Sequence, residues 1–159
     1  MNDYALMGKQ VAAFAEEEAN LLPLLANTAA ILYDCLSELN WAGFYLRQGD
    51  DLLLGPFQGK PACIRIPYGK GVCGTCLAED RVQRVADVHA FPGHIACDSA
   101  SNSEIVLPLH ARDAEAKVIG VLDIDSPVYD RFSAEDEAGL AAIVRILEDK
   151  MERDLSWLR

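Results

Sequence analysis

The chain has 159 residues, 51% of them hydrophobic, and a formal net charge of -11. This length and apolar share fit a single domain with a buried core, and we expect one domain over residues 1–159. The acidic balance argues against a nucleic-acid partner, whose binding needs clustered Lys and Arg. No apolar run approaches the roughly 20 residues that cross a bilayer, and no signal-peptide core is present, so we expect a cytoplasmic protein without membrane contact.

Apolar periodicity and turn residues divide the chain into helices and strands. Recurrence at three and four residues predicts helices near both ends, and runs of β-branched and aromatic residues predict strands between them. The expected helices span about 3–18, 20–39, 72–80 and 133 to beyond Leu155, and Met151 and Leu155 fall on the apolar face of the last helix. The expected strands span 41–47, 52–55, 62–66, 82–85, 103–109 and 117–125. Residues 55–61 are expected to form a loop. This order predicts an α+β domain. We expect a central antiparallel sheet of about six strands, with the terminal helices on one face and loops on the other.

Two aromatic side chains lie on one face of the first predicted strand. The two-residue period of a strand places Trp41, Gly43 and Tyr45 on the same side of the sheet. Such a pair forms either part of the core or the wall of a small-molecule pocket.

The strand that ends at Asp125 carries two acids on one face. Alternation places Asp123 and Asp125 on the side of Ile119 and Val121. Two carboxylates at this spacing repel each other, and burying them is costly without a positive partner. That partner could be a Lys or Arg of the chain, a metal, or the ammonium of a ligand. Glu104, at the end of a neighbouring strand, is either a third acid of the same pocket or a solvated strand end.

The five cysteines do not suggest a structural disulfide framework, because their number is odd and the cytosol keeps thiols reduced. Cys35 falls on a helical apolar stripe and is predicted to be a small buried hydrophobe. Cys73 and Cys76 have the spacing of a redox or zinc pair, but neither the βαβ context nor a second pair accompanies them. Cys97 is predicted to lie in an exposed loop beside Asp98, Ser99 and Ser101, which makes it the better candidate nucleophile.

A zinc site is the alternative use of these thiols. Four cysteines and two histidines fall between residues 59 and 104, and they are Cys63, Cys73, Cys76, Cys97, His89 and His94. Their spacing does not follow the usual zinc-binding patterns, and we expect no metal.

Five segments carry a specific pattern: Gly55-Pro-Phe-Gln-Gly59, Gly69-Lys-Gly-Val-Cys-Gly-Thr75, Asp87-Val-His-Ala-Phe-Pro-Gly-His-Ile-Ala-Cys-Asp-Ser-Ala-Ser101, Ser103-Glu-Ile-Val106 and Gly120-Val-Leu-Asp-Ile-Asp-Ser126. Together they resemble the free methionine-(R)-sulfoxide reductases, which are GAF-domain enzymes. The resemblance extends over residues 41–132, and it is most specific between residues 87 and 104.

The resemblance implies roles for particular residues. Cys97 would be the nucleophile, Cys63 the main resolving thiol and Cys73 an auxiliary thiol. The family's substrate-pocket positions correspond to Trp41, Glu104, Asp123 and Asp125, and we add Tyr45 as the second aromatic on the face of Trp41. Cys76 matches no family cysteine.

The family reaction would convert free methionine (R)-sulfoxide to methionine through a sulfenic acid on Cys97 and a disulfide that thioredoxin reduces. It implies no cofactor, and a homodimer stays open as an assembly state. Two other classes of function remain. A GAF domain can be a regulatory module that binds a nucleotide or another small effector, or a redox or metal sensor that signals through Cys63 and Cys97 without turnover.

Overall fold

The computed structural model describes residues 2–18, 20–95 and 97–150. Its α-helices are α1 (Tyr4–Glu17), α2 (Leu21–Cys35), α3 (Gly71–Glu79) and α4 (Ala134–Lys150), and a 3-10 turn spans Val88–Ala90. Its strands are β1 (Trp41–Gln48), β2 (Asp51–Gly59), β3 (Arg65–Ile66), β4 (Gln83–Val85), β5 (Ser103–His110) and β6 (Val118–Ser126). They form one antiparallel sheet in the order β3-β2-β1-β6-β5-β4. The predicted α+β class and six-stranded sheet are confirmed, whereas Met151 and Leu155 lie outside the described residues.

The two faces of the sheet are covered by different helices. Ala42, Phe44 and Leu46 of β1 belong to the core shared with α1, α2 and α4, and Trp41 and Tyr45 belong to a second cluster with α3. The predicted alternation along β1 is therefore confirmed. None of the helices in the described part of the chain combines the length and apolar character of a membrane span.

The hairpin of β1 and β2 differs from its prediction, because β2 extends to Gly59 through the segment 55–61 that was expected to be loop. The pairing passes from Gly43↔Phe57 to Tyr45↔Leu54, so the ladder is interrupted where Pro56 lies. Proline lacks a backbone donor and is tolerated at such a bulge. A Cβ on Gly43 would lie 2.3 Å from the Cβ of Phe57, so the close approach of the two strands requires glycine there.

Two cysteine placements also differ. The α2 helix ends at Cys35, before the predicted end at residue 39, and Cys35 is exposed. The prediction of a buried Cys35 was wrong because Leu36, the residue that caps the helix, takes the next core position after Leu32. The strand expected over 62–66 is reduced to Arg65–Ile66, so Cys63 lies in the connection before β3.

A bulge near the start of β6 changes one predicted neighbour. Leu109 pairs with Gly120 and His110 pairs with Val118, so Ile119 is skipped in the ladder. Ile119 packs against the helix-side core, whereas Val121 belongs to the opposite cluster. The expectation that Ile119 shares a face with the acids was therefore wrong.

His110 joins the end of α3 to α4. Its Nε2 lies 2.6 Å from Asp80 Oδ1 at the C-cap of α3, and its Nδ1 lies 2.7 Å from Glu148 Oε2 on α4. Both ring nitrogens face carboxylate oxygens, which only accept, so the arrangement favours the imidazolium with two donors. Burial alone would lower the pKa of His110, but the hydrogen bonds to Asp80 and Glu148 outweigh it and raise the pKa above 6.5.

This arrangement predicts a pH-dependent contribution to stability. A histidine whose pKa is raised by folding stabilises the fold fully below its unfolded pKa of about 6.5, and the contribution is lost as pH rises through the folded value. We expect His110→Gln to lower the free energy of unfolding by about 0.5 to 1 kcal/mol at pH 6, because partly exposed pairs contribute little more. Urea unfolding at pH 6 and pH 9 measures this, and the difference from the unsubstituted protein should shrink at pH 9. An equal difference at both values would contradict the imidazolium.

Candidate active site

The face of the sheet that packs against α3 carries a pocket in which most of the candidate residues meet. β1, β5 and β6 form its floor, and α3 with the loop that includes Cys97 forms its walls. The lining side chains are Trp41, Tyr45, Ala62, Ile66, Lys70, Gly71, Val72, Cys73, His94, Ile95, Cys97, Asp98, Ser101, Glu104, Asp123 and Asp125. The empty space between them, with its opening to solvent, is about 500 Å³.

Strand register brings three acids together on this floor. Glu104 pairs with Asp125 across β5 and β6, Val106 pairs with Asp123, and Trp41 pairs with Asp125 across β1 and β6. Glu104 is 7% exposed and Asp123 is 5% exposed, so Glu104 is a member of the pocket rather than a solvated strand end.

These acids have no ion-pair partner among the residues that the structure describes. None of the ion pairs between described residues includes Glu104, Asp123 or Asp125. One oxygen each of Asp123 and Asp125, Oδ1 in both cases, is buried and accepts no hydrogen bond. Buried acceptors are normally satisfied, so the two oxygens indicate a ligand that donates. Of the partners considered from the sequence, this leaves a ligand cation or a metal.

Burial also changes the protonation of the acids. It raises the pKa of Glu104, Asp123 and Asp125, and Coulombic repulsion from Asp123 raises those of Glu104 and Asp125 further. Three carboxyls this close do not all ionise at their usual pKa values, so they titrate as a group, with pKa values raised by burial and mutual repulsion. The site can therefore both attract a cation and donate a proton.

Cys63 and Cys97 are joined by a disulfide at the wall of the pocket, with 5.5 Å between their Cα atoms. Cys97 itself lines the pocket. The hydroxyl of Tyr45 donates to the carbonyl oxygen of Cys63 at 2.8 Å. Tyr45, which is 2% exposed, thus fixes the segment that carries Cys63 while its ring contributes to the pocket wall.

Cys73 and Cys76 lie on α3, but their thiols point to different partners. Cys73 Sγ donates to Glu104 Oε2 at 3.9 Å, and Cys76 Sγ donates to the carbonyl oxygen of Val106 at 3.8 Å. Both are free thiols, so the structure does not join them as a thioredoxin-like couple. Burial, followed by the nearby carboxylates, raises the pKa of Cys73 well above its usual value, which keeps it a thiol. Cys76 is fully buried between α3 and β5, where it packs as a small apolar side chain.

The cysteines and histidines considered as a zinc set are not assembled. The disulfide occupies Cys63 and Cys97, and the ring of His89 bonds Asn102 at 2.9 Å. Within the described ranges, the closely spaced metal-binding atoms belong to Cys73, Glu104 and Asp123, all within 4.8 Å of one another. This is the floor of the same pocket, so a metal and a ligand ammonium would compete for one place.

Trp41 forms an apolar wall beside the acids. Its ring stacks on Tyr45 at 5.8 Å and on Phe57 at 5.2 Å between centroids, and its Nε1 donates to the carbonyl oxygen of Lys60 at 3.2 Å. The indole is therefore held both by ring stacking and by a hydrogen bond. Such a wall suits an apolar or sulfur-containing group of a small ligand.

Sequence reasoning gave several polar residues around the acids no role in ligand binding, and it considered His94 only as part of a zinc set. His94 and Lys70 line the pocket, and Ser101 donates to Asp125 Oδ2 at 3.2 Å. Asn40, which immediately precedes β1, hydrogen-bonds to Ser101 and to Asp98. Their role depends on strand pairing, since only the register of β1 with β6 brings Asn40 beside Asp125, and no local pattern indicates it.

The sheet order, the helices on one face and the pocket on the other define a GAF domain, and the model of that domain matches residues 19–149. Free methionine-R-sulfoxide reductase of Escherichia coli (strain K12) is 57% identical over 145 residues, which are 91% of this chain and 86% of that protein. The chain belongs to the free methionine-R-sulfoxide reductase family, which confirms the resemblance seen in the sequence.

Solved structures agree. One of fRMsr of Staphylococcus aureus, described as a complex with substrate, is 51% identical with a TM-score of 0.89, and covers 96% of this chain and 97% of that chain. One of free methionine-R-sulfoxide reductase from Neisseria meningitidis in complex with its substrate is 42% identical with a TM-score of 0.88, and covers 94% of this chain and 89% of that chain.

Proposed function

We propose that the protein reduces free methionine (R)-sulfoxide to methionine with electrons from its own thiols. Glu104 and Asp123, which are buried, and Asp125, which is partly buried, form no ion pair with another described residue and lie in the same pocket as Cys97, which is bonded to Cys63, and this combination carries the proposal. It matches a substrate that has an ammonium at one end and an electrophilic sulfur at the other. The E. coli, S. aureus and N. meningitidis relatives are free methionine-R-sulfoxide reductases by name, which supports the same activity.

Substrate recognition would use the acids and the aromatic wall. The ammonium of the free amino acid has three donors, and the unpartnered oxygens of Asp123 and Asp125, with Glu104 beside them, supply acceptors for it. Trp41 and Tyr45 would contact the side chain. A peptide-bound methionine sulfoxide has a neutral amide in place of the ammonium, so the pocket would reject it.

The first chemical step would be attack of the Cys97 thiolate on the sulfoxide sulfur. A carboxyl of the acid group, held protonated by burial, would donate a proton to the sulfoxide oxygen. The S–S bond that the attack forms between Cys97 and the substrate then breaks, as does the S–O bond of the substrate, and the protonated oxygen moves from the substrate sulfur to Cys97 Sγ. Cys97 becomes a sulfenic acid, and methionine leaves two electrons richer.

The second step would regenerate the protein. The Cys63 thiol attacks Sγ of the Cys97 sulfenic acid, which forms the disulfide and releases water. Cys73 would be an auxiliary thiol. Its raised pKa makes it the slower nucleophile, because the thiolate is the reactive form.

An external dithiol would then reduce the disulfide, and we propose thioredoxin for this role. Cys63 and Cys97 are both partly exposed, and the neighbouring Ile64 is 71% exposed, so an attacking protein thiol has access. The proposal includes a single domain over residues 1–159, a cytoplasmic location and no metal or cofactor. A homodimer in solution is compatible with it.

The decisive test is a turnover assay with dithiothreitol as reductant and the separate R and S epimers of free methionine sulfoxide. Methionine should form from the R epimer in amounts far exceeding the protein. Binding without methionine formation would instead favour a regulatory GAF module. Formation of the Cys63–Cys97 disulfide by peroxide but not by the sulfoxide would favour a redox sensor.

A further inference from the structure

A chain of hydrogen bonds connects the loop that carries Cys97 to Asp125, one of the three acids on the pocket floor. Asn40 lies at the centre of this chain. The backbone N–H of Asn40 donates to the carbonyl oxygen of Asp125 at 3.0 Å, which fixes the residue against β6. Its side-chain Nδ2 donates to Asp98 Oδ2 and to Ser101 Oγ, both at 2.9 Å. Asn40 does not line the pocket, so it acts through these neighbours.

The orientation of the Asn40 amide follows from its partners. Asp98 Oδ2 can only accept, so the nitrogen rather than the oxygen of the amide must face it. The Asn40 Oδ1 atom is left buried and without a hydrogen bond. A buried amide that leaves its acceptor unsatisfied is costly, which indicates that the two donated bonds determine where the side chain lies.

The first donated bond anchors the Cys97 loop. Asp98 is the next residue after Cys97, and it also closes its own turn, since Ala100 N donates to Asp98 Oδ1 at 2.9 Å. The turn is therefore a small unit closed by its own hydrogen bond. Asn40 ties this unit to the beginning of β1.

The second donated bond orients an acid of the floor. Because Ser101 Oγ accepts from Asn40, its own hydrogen is free to be donated to Asp125 Oδ2 at 3.2 Å. That bond occupies one oxygen of Asp125 and leaves Oδ1 unpartnered on the buried side. The carboxylate oxygen available for a ligand is thus selected by Ser101, and Ser101 is oriented by Asn40.

We infer that Asn40 is a positioning residue of the proposed reduction, which holds the Cys97 loop through Asp98 and the ligand-binding carboxylate of Asp125 through Ser101. This rests on the proposed function. Loss of the Asn40 amide should displace both the attacking sulfur of Cys97 and the ligand-binding carboxylate of Asp125. Loss of the Ser101 hydroxyl should displace the carboxylate alone.

The test compares Asn40→Ala and Ser101→Ala in the turnover assay with free methionine (R)-sulfoxide. Ser101→Ala should raise KM several-fold with little change in kcat. Asn40→Ala should raise KM similarly and also lower kcat, so that kcat/KM falls at least tenfold. Asn102→Ala is the matched control: the Asn102 side chain tethers the same loop by donating to the carbonyl oxygen of Pro127 at 2.8 Å and by bonding the ring of His89, and among the described residues it makes no hydrogen bond to the three acids. It should lower the melting temperature without changing KM.

A second readout does not depend on the substrate. Hydrogen peroxide oxidises the Cys97 thiolate to a sulfenic acid with release of water, and Cys63 then closes the disulfide with release of a second water. Asn40→Ala should slow this closure at least threefold, measured by intact mass after trapping, and Ser101→Ala should not. Equal effects of Asn40→Ala and Asn102→Ala on KM and on closure would overturn the inference. A wild-type protein that fails to turn over the sulfoxide would refute the proposed function, while the closure rates would still decide whether Asn40 anchors the loop.

Discussion

Cys97→Ser is expected to abolish the reduction of free methionine (R)-sulfoxide, even within a single turnover. The serine hydroxyl would occupy the same place in the pocket, but it is neither ionised near neutral pH nor able to accept the sulfoxide oxygen as a stable sulfenic acid. The measurement is methionine released per protein molecule from pre-reduced protein without added reductant. Wild type should release about one equivalent, and Cys97→Ser none.

Two other substitutions separate the roles of the thiols. Cys63→Ser should retain the first turnover, because Cys97 is intact, but should recycle poorly with thioredoxin because no disulfide with Cys63 can form. Cys35→Ser is the matched control, since Cys35 is exposed at the end of α2 and lies outside the pocket. It should behave as wild type in both assays. A full equivalent of methionine from Cys97→Ser would require another nucleophile, and Cys73 would be the next candidate.

The sequence predicted those parts of the fold that depend on local pattern. The alternation of β1 correctly separates Trp41 and Tyr45 from Phe44, because a two-residue period needs no knowledge of neighbouring strands. The predicted start of α4 near residue 133 is also found, with Asp136 N donating to Ser133 Oγ at 3.1 Å. Both features are encoded within a few consecutive residues.

The parts that were missed depend on pairing between distant segments. β2 continues through Pro56 because a bulge against β1 removes the need for its missing donor, and composition alone indicated a loop. Ile119 changes face because of a bulge against β5. Asn40 meets Ser101 only after β1 and β6 have paired, which no local periodicity reveals.

Removing one of the carboxylates on the pocket floor should also have a large effect on kcat/KM. We expect Asp125→Asn and Asp123→Asn each to lower kcat/KM for the free amino acid by about tenfold to a hundredfold or more, because a desolvated charge-assisted hydrogen bond contributes roughly 1.5 to 3 kcal/mol. The fold should not suffer. Each substitution removes a buried charge that repels its neighbours, so the melting temperature of the ligand-free protein should stay the same or rise. Alkylation of Cys97 by a small neutral reagent should also change little.

The substrate offers the complementary change. N-acetylated methionine sulfoxide keeps the sulfoxide but lacks the positive charge, so wild type should be nearly inactive on it, and Asp125→Asn should lose much less on this substrate than on the free amino acid. Asp34→Asn serves as the control for net charge, because Asp34 is exposed on α2 and should have no effect on either substrate. Comparable rates of wild type on the free and acetylated substrates would show that the acids do not bind an ammonium. The protein would then be a general sulfoxide reductase, and the unpartnered oxygens of Asp123 and Asp125 would have to bind a donor other than the substrate's amino group.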